Sequence, residues 1–505
     1  MKVLFVYPNS GSQVGFNYGV ASMSAVLKAA GHEVGCLQLC EELEPLPDRQ
    51  RFADYLRNTR ADVIGFSVVT NQWALAQQYA AWCRDVVSAP VVCGGVHATV
   101  ATEQVLRSGS FDYVFVGECE EAFLEFVERL SRGENVADLR NLGRVCDGEV
   151  RINPVRPLPD LTRLPRKDYS IFSFQKMIDA KHGWVGLMAS RGCPFNCTYC
   201  FNHVMVKKYR TDLQCSVKDL HYIRHHRVPQ LLDEIRHLET TYRNITMYIF
   251  DDDLFTFDEE FVAEFCRAYP QASTRPFVVN GHVGFFEEAC ARALASAGCR
   301  IVKFGVESGS EQIRRQVMHR HMSNAQIREA IRLVEGHGMH SSCFLMLGTP
   351  GETRDDVMKT IELMAQAKPG RYRWTYFFPF AGTESYEMSA AGGYIDETKL
   401  ASLVNFTDAS CLDFGPEQNL FLEKVGRVFP WFVNGASDLA VAPFYREETE
   451  RILAMPAAAW REFAPTAHRL DKEYSQRFAA EGKRHYALKY NPFMGVRSDY
   501  FLKEG

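Results

Sequence analysis

The sequence predicts an α/β protein. It has an open, doubly wound parallel sheet at the amino terminus, a second βα series forming a partial barrel of six strands, and a mostly helical carboxyl-terminal region. Three observations predict this. Residues 1 to about 140 alternate short apolar runs with helix-periodic stretches, the same alternation resumes at residue 184, and from about residue 393 the pattern turns helical and aromatic-rich. Strands separated by helical segments argue for βαβ units and a buried parallel sheet.

In the first series the strand candidates are residues 3–7, 33–39, 63–68, 91–93 and 113–116, with helical patterns at 21–30, 72–87 and 121–131 between them. Five such strands make an open domain whose ligand sits beyond their carboxyl ends. From residue 146 to 183 the pattern weakens around Pro154, Pro157, Pro159 and Pro165, which reads as a surface linker. The second series places strands at 184–189, 245–250, 277–280, 301–305, 342–347 and 373–380. Helices are expected at 230–238, 259–268, 287–297, 324–337 and 355–367. The expected domains are therefore 1–140, a linker 141–182, a barrel 183–388 and a helical region 389–505. Active residues of a barrel come from the carboxyl ends of its strands.

Composition excludes several classes. The 505 residues are 46% hydrophobic and 24% charged, ample for large cores and wrong for a disordered chain. A net charge of -5 leaves no global footprint for nucleic acid. Fifteen cysteines are an odd number and too dilute for a disulfide scaffold, so most should be buried apolar residues. The amino-terminal apolar run stops at Pro8, shorter than a signal peptide needs, and reads as a first strand. No run reaches the roughly 18 apolar residues of a membrane helix. The expected compartment is the cytoplasm, with no membrane insertion. The basic stretch between Arg210 and Arg227 reads as a solvated surface.

One cluster stands apart: Arg191-Gly192-Cys193-Pro194-Phe195-Asn196-Cys197-Thr198-Tyr199-Cys200. Cysteines at this spacing would share one face of a helix, which makes core packing the plain reading. Gly192 and Pro194 oppose a helix beginning upstream, and the segment follows a predicted strand, so it is expected to be a strand-end loop. A structural zinc site closes with four ligands, and no nearby motif supplies the fourth. Three soft thiolates from one loop suit a four-iron, four-sulfur (4Fe-4S) cluster with one iron open.

This loop resembles the radical S-adenosylmethionine (SAM) superfamily, as do three later motifs. These are Phe250-Asp251-Asp252-Asp253, Gly305-Val306-Glu307-Ser308-Gly309 and Leu347-Gly348-Thr349-Pro350-Gly351-Glu352-Thr353. In the amino-terminal domain the stretch from Asp62 to Thr70, the run Cys93-Gly94-Gly95-Val96-His97 and the run Val116-Gly117-Glu118-Cys119-Glu120 resemble the flavodoxin-like cobalamin-binding domain of the B12-dependent branch. The resemblance implies a partial (β/α)6 radical SAM barrel and three cofactors: a 4Fe-4S cluster, SAM and cobalamin. It implies Cys193, Cys197 and Cys200 as cluster ligands, and Tyr199, Asp251, Asp252, Glu307, Ser308 and Gly348 at SAM. Asp253 is read either as a further contact or as the cap of the next helix. At cobalamin it implies Ser67, Thr70, Gly94, Gly95, His97, Gly117 and Glu118. The Asp-x-His-x-x-Gly signature of a cobalt-ligating histidine is absent, since Ala98-Thr99-Val100 follows His97. His97 is therefore read as a surface or hydrogen-bonding residue rather than a cobalt ligand. No catalytic residue beyond the cluster ligands is identified.

The implied activity is methylation of an unactivated carbon through methylcobalamin and a 5′-deoxyadenosyl radical. The alternative is a B12-dependent radical cyclase, ring-contraction or rearrangement enzyme without methyl transfer. A methylthiotransferase would need a second cysteine triad, yet Cys36, Cys40, Cys83 and Cys93 are scattered. A non-catalytic cobalamin module would have no reason to keep both the triad and the Glu307 motif. A small-molecule or peptide substrate and a flavodoxin- or ferredoxin-type electron donor are the expected partners, with no nucleic acid. Tyr372, Trp374, Tyr376, Phe378 and Phe380 alternate at the last strand and are expected to line a pocket or fill the barrel interior. The carboxyl-terminal helices are expected to cover the barrel mouth.

Overall fold

In the computed structural model, which describes residues 1–11, 14–402, 409–491 and 496–501, the chain folds as two units. The first comprises Met1–Asn196, Cys200–Thr246 and Phe380–Thr383; the second comprises Cys197–Tyr199, Met247–Pro379 and Glu384–Gly505. The α/β class predicted from sequence is the one observed.

The first unit is built on β1 (Lys2–Pro8), β2 (Glu33–Leu39), β3 (Val63–Ser67), β4 (Val91–Gly94), β5 (Tyr113–Phe115), β6 (Leu142–Cys146) and β7 (Glu149–Ile152). Their order is β2-β1-β3-β4-β5-β6-β7, with β1 to β5 parallel. Parallel strands covered by helices on both faces read as continuous apolar runs. Val3, Leu4, Phe5 and Val6 are accordingly all buried. The order reverses between β1 and β3, the point where doubly wound sheets open a crevice at their carboxyl edge.

The sheet does not stop at residue 140. β6 runs antiparallel to β5 and turns back as β7. Residues 142–152, read from sequence as the start of a linker, are thus a hairpin on the sheet edge. The signal was present: Asp147 and Gly148 both have positive φ, at 53° and 80°, the two-residue turn that Asp-Gly favours. The unit continues through β8 (Trp184–Leu187) and β9 (Ser190–Arg191), the latter antiparallel to β10 (Arg224–His225).

The second unit carries β11 (Met247–Phe250), β12 (Phe277–Gly281), β13 (Cys299–Glu307), β14 (His340–Leu347) and β15 (Arg371–Tyr376), parallel neighbours in that order. Helices Pro416–Arg427, Phe429–Ala436, Ala442–Ala454, Ala457–Phe463 and Ala467–Ala480 follow, as the pattern predicts. The tail then departs from the helical expectation. β16 (Tyr486–Asn491) and β17 (Val496–Phe501) form an antiparallel hairpin, and β17 pairs with β15, covering an edge that would otherwise expose unpaired backbone groups.

The alternating aromatics of β15 point the other way from the sequence expectation. Tyr372 and Trp374 pack on Phe429, with ring centroids 5.7 and 5.1 Å apart. Trp374 Nε1 donates to the Gly426 carbonyl at 2.8 Å, and the Tyr376 hydroxyl donates to the Leu422 carbonyl at 3.1 Å. These rings bind the carboxyl-terminal helices to the outer face of β15, so they do not line the barrel. Strand alternation leaves Arg371, Arg373 and Thr375 on the opposite face.

The loop after β13 lies against helix Arg354–Ala367. Gly309 donates its N–H to Thr360 Oγ1 at 2.7 Å, and a β-carbon there would stand 2.3 Å from the Lys359 carbonyl oxygen. Gly309→Ala is expected to destabilise by about 1–3 kcal/mol through overpacking, lowering the thermal midpoint by several degrees. Gly336→Ala, whose β-carbon meets nothing within 4 Å, is expected to be neutral or stabilising in the same melt.

Candidate functional site

Cys193, Cys197 and Cys200 lie on one loop between β9 and helix Phe201–Leu213, outside regular structure, and none is in a disulfide. This removes the helix-face reading. Gly192 is required where the loop begins. Its φ is +94°, and a β-carbon would lie 2.2 Å from the Tyr222 carbonyl oxygen. The other twelve cysteines are buried or partly buried, as composition predicts, and burial pushes thiols such as Cys83 and Cys266 up to about 12.

Within the second unit, a residue the sequence did not single out organises the group around Cys197. Arg320 places Nη1 3.5 Å from Cys197 Sγ and 3.4 Å from the Tyr199 hydroxyl, while Nη2 donates to the Gly305 carbonyl at 2.6 Å. Its position follows from Arg314, a fully buried guanidinium that donates to the Ser308 and Met322 carbonyls and to Asn324 Oδ1. The Arg320 N–H in turn reaches the Arg314 carbonyl at 2.7 Å. No motif of a few residues could have shown this, because Arg320 stands 123 positions from Cys197.

Glu307 completes the group. The ladder between β13 and β14 shifts register at Gly305/Glu307, and Glu307 adopts φ +66°, strained for a residue with a side chain. Such an irregularity re-aims a side chain. The carboxylate folds back over Gly305, where a β-carbon would lie 2.4 Å from Glu307 Oε1. Burial pushes its carboxyl above the ordinary range, against the pull of Arg320, a Tyr199 hydrogen bond and Arg373.

The other residues proposed at SAM are placed differently. Ser308 is fully buried, with its hydroxyl against Thr360 Oγ1 and accepting from Ser310 N–H. Asp252 is fully buried and its carbonyl accepts from Asn280, whereas Asp251 is exposed with Lys303 Nζ 3.9 Å away. Helix Glu259–Ala268 is capped by Asp258, so the capping role considered for Asp253 belongs five residues later. Gly348 donates its N–H to Glu352 Oε2 at 2.6 Å, and burial pushes the Glu352 carboxyl up to about 8.

The first unit contains an open cavity whose free space, the solvent at its mouth included, is about 680 Å³, with Gly65, Phe66 and Ser67 on β3, Gly94 on β4 and Gly117 to Glu120 after β5 in its wall. Five of the seven residues proposed at cobalamin line it: Ser67, Gly94, Gly95, Gly117 and Glu118. The glycines serve different ends. A β-carbon on Gly95 would stand 2.7 Å from the Val68 backbone, and one on Gly117 would stand 2.5 Å from the Tyr209 hydroxyl, so the protein's own packing demands both. A β-carbon on Gly94 meets nothing closer than 3.9 Å, so its missing side chain leaves space in the cavity.

Thr70 and His97 are not in that wall. His97 Nδ1 lies 3.3 Å from Thr70 Oγ1, its ring is 4.8 Å from Trp73, and Nε2 is buried without a hydrogen-bond partner. Burial lowers its pKa to about 4, so it is neutral and buried rather than on the surface.

One side of the cavity is an ion network. Arg191 Nη1 and Nη2 lie 2.6 Å from Glu118 Oε2 and Glu120 Oε1. Arg224 also pairs with Glu118 and donates to the Pro159 carbonyl at 2.8 Å. Arg224 sits in the basic stretch that the sequence reads as a solvated surface, yet its side chain is only 12% exposed. Burial works against ionising Glu120, but the Arg191 charge and hydrogen bond outweigh it and hold the carboxyl below its ordinary range.

Comparison with known proteins agrees with this layout. Residues 9–127 match the family model for the B12 binding domain, and residues 187–364 match the radical SAM superfamily. An uncharacterised methyltransferase of Pyrococcus horikoshii is 26% identical over 407 residues, spanning 78% of this chain and 84% of its own. The solved radical SAM methyltransferase TsrM of Kitasatospora setae, with cobalamin and a 4Fe-4S cluster bound, superposes with a TM-score of 0.64 at 17% identity, covering 77% of this chain and 74% of TsrM. The cobalamin-dependent SAM radical enzyme OxsB, with aqua-cobalamin bound, gives 0.67 at 14% identity over 95% of this chain and 73% of its own.

Removing Arg191 leaves two carboxylates facing a buried gap. Arg191→Met is expected to cost about 3 kcal/mol at neutral pH. In the wild type, Glu120 is depressed in the folded state, so its contribution is present above the ordinary carboxylate pKa and is lost as pH falls through the folded value. In Arg191→Met, burial is opposed only by the lesser hydrogen bonds from the Glu120 N–H and Ser22 and raises the Glu120 carboxyl, so the cost should shrink as pH drops from 7 toward 4. Thermal melts of both proteins across that range check the reversal.

Proposed function

The chain belongs to the cobalamin-dependent radical SAM enzymes, and from that premise we propose that it methylates an unactivated carbon of a small-molecule or peptide substrate in the cytoplasm. Its cofactors are a 4Fe-4S cluster, SAM and cobalamin, and its class is that of the radical SAM methyltransferases. The observation that carries the reading is a B12-binding domain followed by a radical SAM domain on one chain. Among the described residues no helix is long and apolar enough to cross a membrane. Chemistry at an unactivated carbon belongs to these cofactors, which supply a radical and a methyl group; the protein supplies binding, orientation and exclusion of water.

On this reading residues 1–140 hold cobalamin, 183–388 hold the cluster and SAM, and 389–505 form the helical region. Cys193, Cys197 and Cys200 donate the thiolates, and the donor set fits: three cysteines on one loop, none in a disulfide, with Arg320 Nη1 beside Cys197 Sγ. Tyr199 and Glu307, held together by Arg320, present a hydroxyl and a carboxylate to the amino and ribose groups of SAM. Asp251 offers an exposed carboxylate, Gly348 stands buried just past the end of β14, and Asp252 and Ser308 position the backbone beside them. Ser67, Gly94, Gly95, Gly117 and Glu118 form the cradle for cobalamin, while Thr70 and His97 support it from behind as a hydrogen-bonded pair. A flavodoxin- or ferredoxin-type protein supplies electrons, and nucleic acid is not a partner.

Anaerobic reconstitution with iron, sulfide, cobalamin and methyl-labelled SAM, screened by mass, is expected to yield a labelled product together with 5′-deoxyadenosine. Deoxyadenosine without label transfer would overturn methyl transfer in favour of ring formation or rearrangement. Cys197→Ala is expected to lose the iron–sulfur absorbance; retention would refute the ligand assignment. Gly94→Val adds bulk to the cradle from a β-carbon with no neighbour closer than 3.9 Å, and should weaken cobalamin binding about tenfold or more, roughly 1.4 kcal/mol, with a little-changed melt.

A further inference from the structure

The parallel register sets the inner face of the second unit's sheet in rows. Lys303 pairs with Asn280 on one side and Ser342 on the other, and Gly305 stands beside Phe344, which stands beside Arg373. The charged groups of this face are largely matched. Lys303 has Asp251 at 3.9 Å, Arg320 has Glu307 within its field, and burial pushes His282 down to about 3, so it is neutral.

Arg373 is matched least: only the field of Glu307, already shared with Arg320, reaches it. Its guanidinium carbon lies 4.1 Å from the centroid of the Phe344 ring, and it makes no hydrogen bond or ion pair with any described residue. Burial, with repulsion from Arg371 two residues earlier on the same face, outweighs the attraction of Glu307 and lowers it to about 10. Five N–H donors in a planar fork thus stand half-buried with only a ring face beneath them. The cofactors do not neutralise this charge. A cluster held by three thiolates carries one net negative charge in its oxidised resting state and SAM one net positive, so together they cancel.

We propose that Arg373 binds an oxyanion of the substrate, a carboxylate or a phosphate, within the barrel. The substrate of the methyl transfer proposed above, on which this inference rests, is then an anionic molecule. A guanidinium held over a ring by its carbon keeps its N–H donors for other partners, and its fork takes two oxygens of a carboxylate or phosphate side by side. The Phe344 ring fixes the fork, so little side-chain freedom is lost on binding.

The test uses the full chain reconstituted anaerobically with cluster and cobalamin and saturated with SAM. Calorimetric titrations with inorganic phosphate and, separately, with acetate are run on the wild type, Arg373→Met and Arg373→Lys. One of the two anions is expected to bind the wild type, and the tighter one identifies the group. Arg373→Met should weaken that binding at least about tenfold, and Arg373→Lys should recover part of it, since the charge remains and the fork does not. SAM affinity should change less than about twofold. Absence of binding by either anion to the wild type, or equal binding to wild type and Arg373→Met, overturns the proposal. A tenfold loss of SAM affinity in Arg373→Met also overturns it, because Arg373 would then serve the SAM carboxylate. Cluster absorbance in each variant reports folding. No arm depends on methyl transfer, so failure here leaves the methyltransferase reading intact, and failure of the label experiment leaves this one measurable.

Discussion

The buried ion network of Arg191 with Glu118, Glu120 and Arg224 is the constraint from which the first unit's functional geometry follows. Charges taken out of water persist only if each finds a partner of good geometry. Arg191 meets that demand by bridging two carboxylates, and Arg224 meets it by sharing Glu118 and adding a backbone carbonyl. Glu118 and Glu120 lie in the turn after β5, while Arg191 stands two residues before the first cysteine. The network therefore joins the cavity wall to the strand that launches the cysteine loop. Moving any member would strand another charge, which makes the arrangement costly to deform.

A similar economy governs the second unit. Arg320 reaches a thiol, a phenol and a backbone carbonyl from one side chain, and Arg314 holds its backbone in place. Glu307 enters the same group through a register shift and a left-handed backbone. Strain of that kind persists where surrounding contacts over-determine it, and here three do: the cation, the tyrosine and the tight space above Gly305. Preorganisation of this sort spares the site from ordering these side chains when a ligand arrives.

The legible parts of the sequence were those with local periodicity or close spacing. Apolar runs marked the five parallel strands of the first sheet and β11 to β14 of the second, because strands covered on both faces are largely apolar, while aromatic alternation marked β15. The Asp147-Gly148 turn was equally local, though the prolines beyond it masked the hairpin. The aromatic alternation of β15 was visible, but its direction was not. Period two says that alternate residues share a face, and leaves open which face meets solvent, a core or a cavity. For His97 the absence of the cobalt-ligand signature was visible in the residues, whereas burial against Trp73 depends on how the helices fold over.

By itself the sequence determined the class of the fold, the order of its two family domains and the cysteine loop from which the cluster ligands are proposed, because each is written in residues adjacent or periodic along the chain. Tertiary structure alone decided the partners of those residues. Arg320 beside Cys197, Arg191 between two glutamates, Gly94 open to a cavity while Gly95 is closed by Val68, and Arg373 turned inward while Tyr372 and Trp374 turn out are all long-range outcomes. Each depends on which surfaces meet once the sheets are covered, and chain separation carries no information about that.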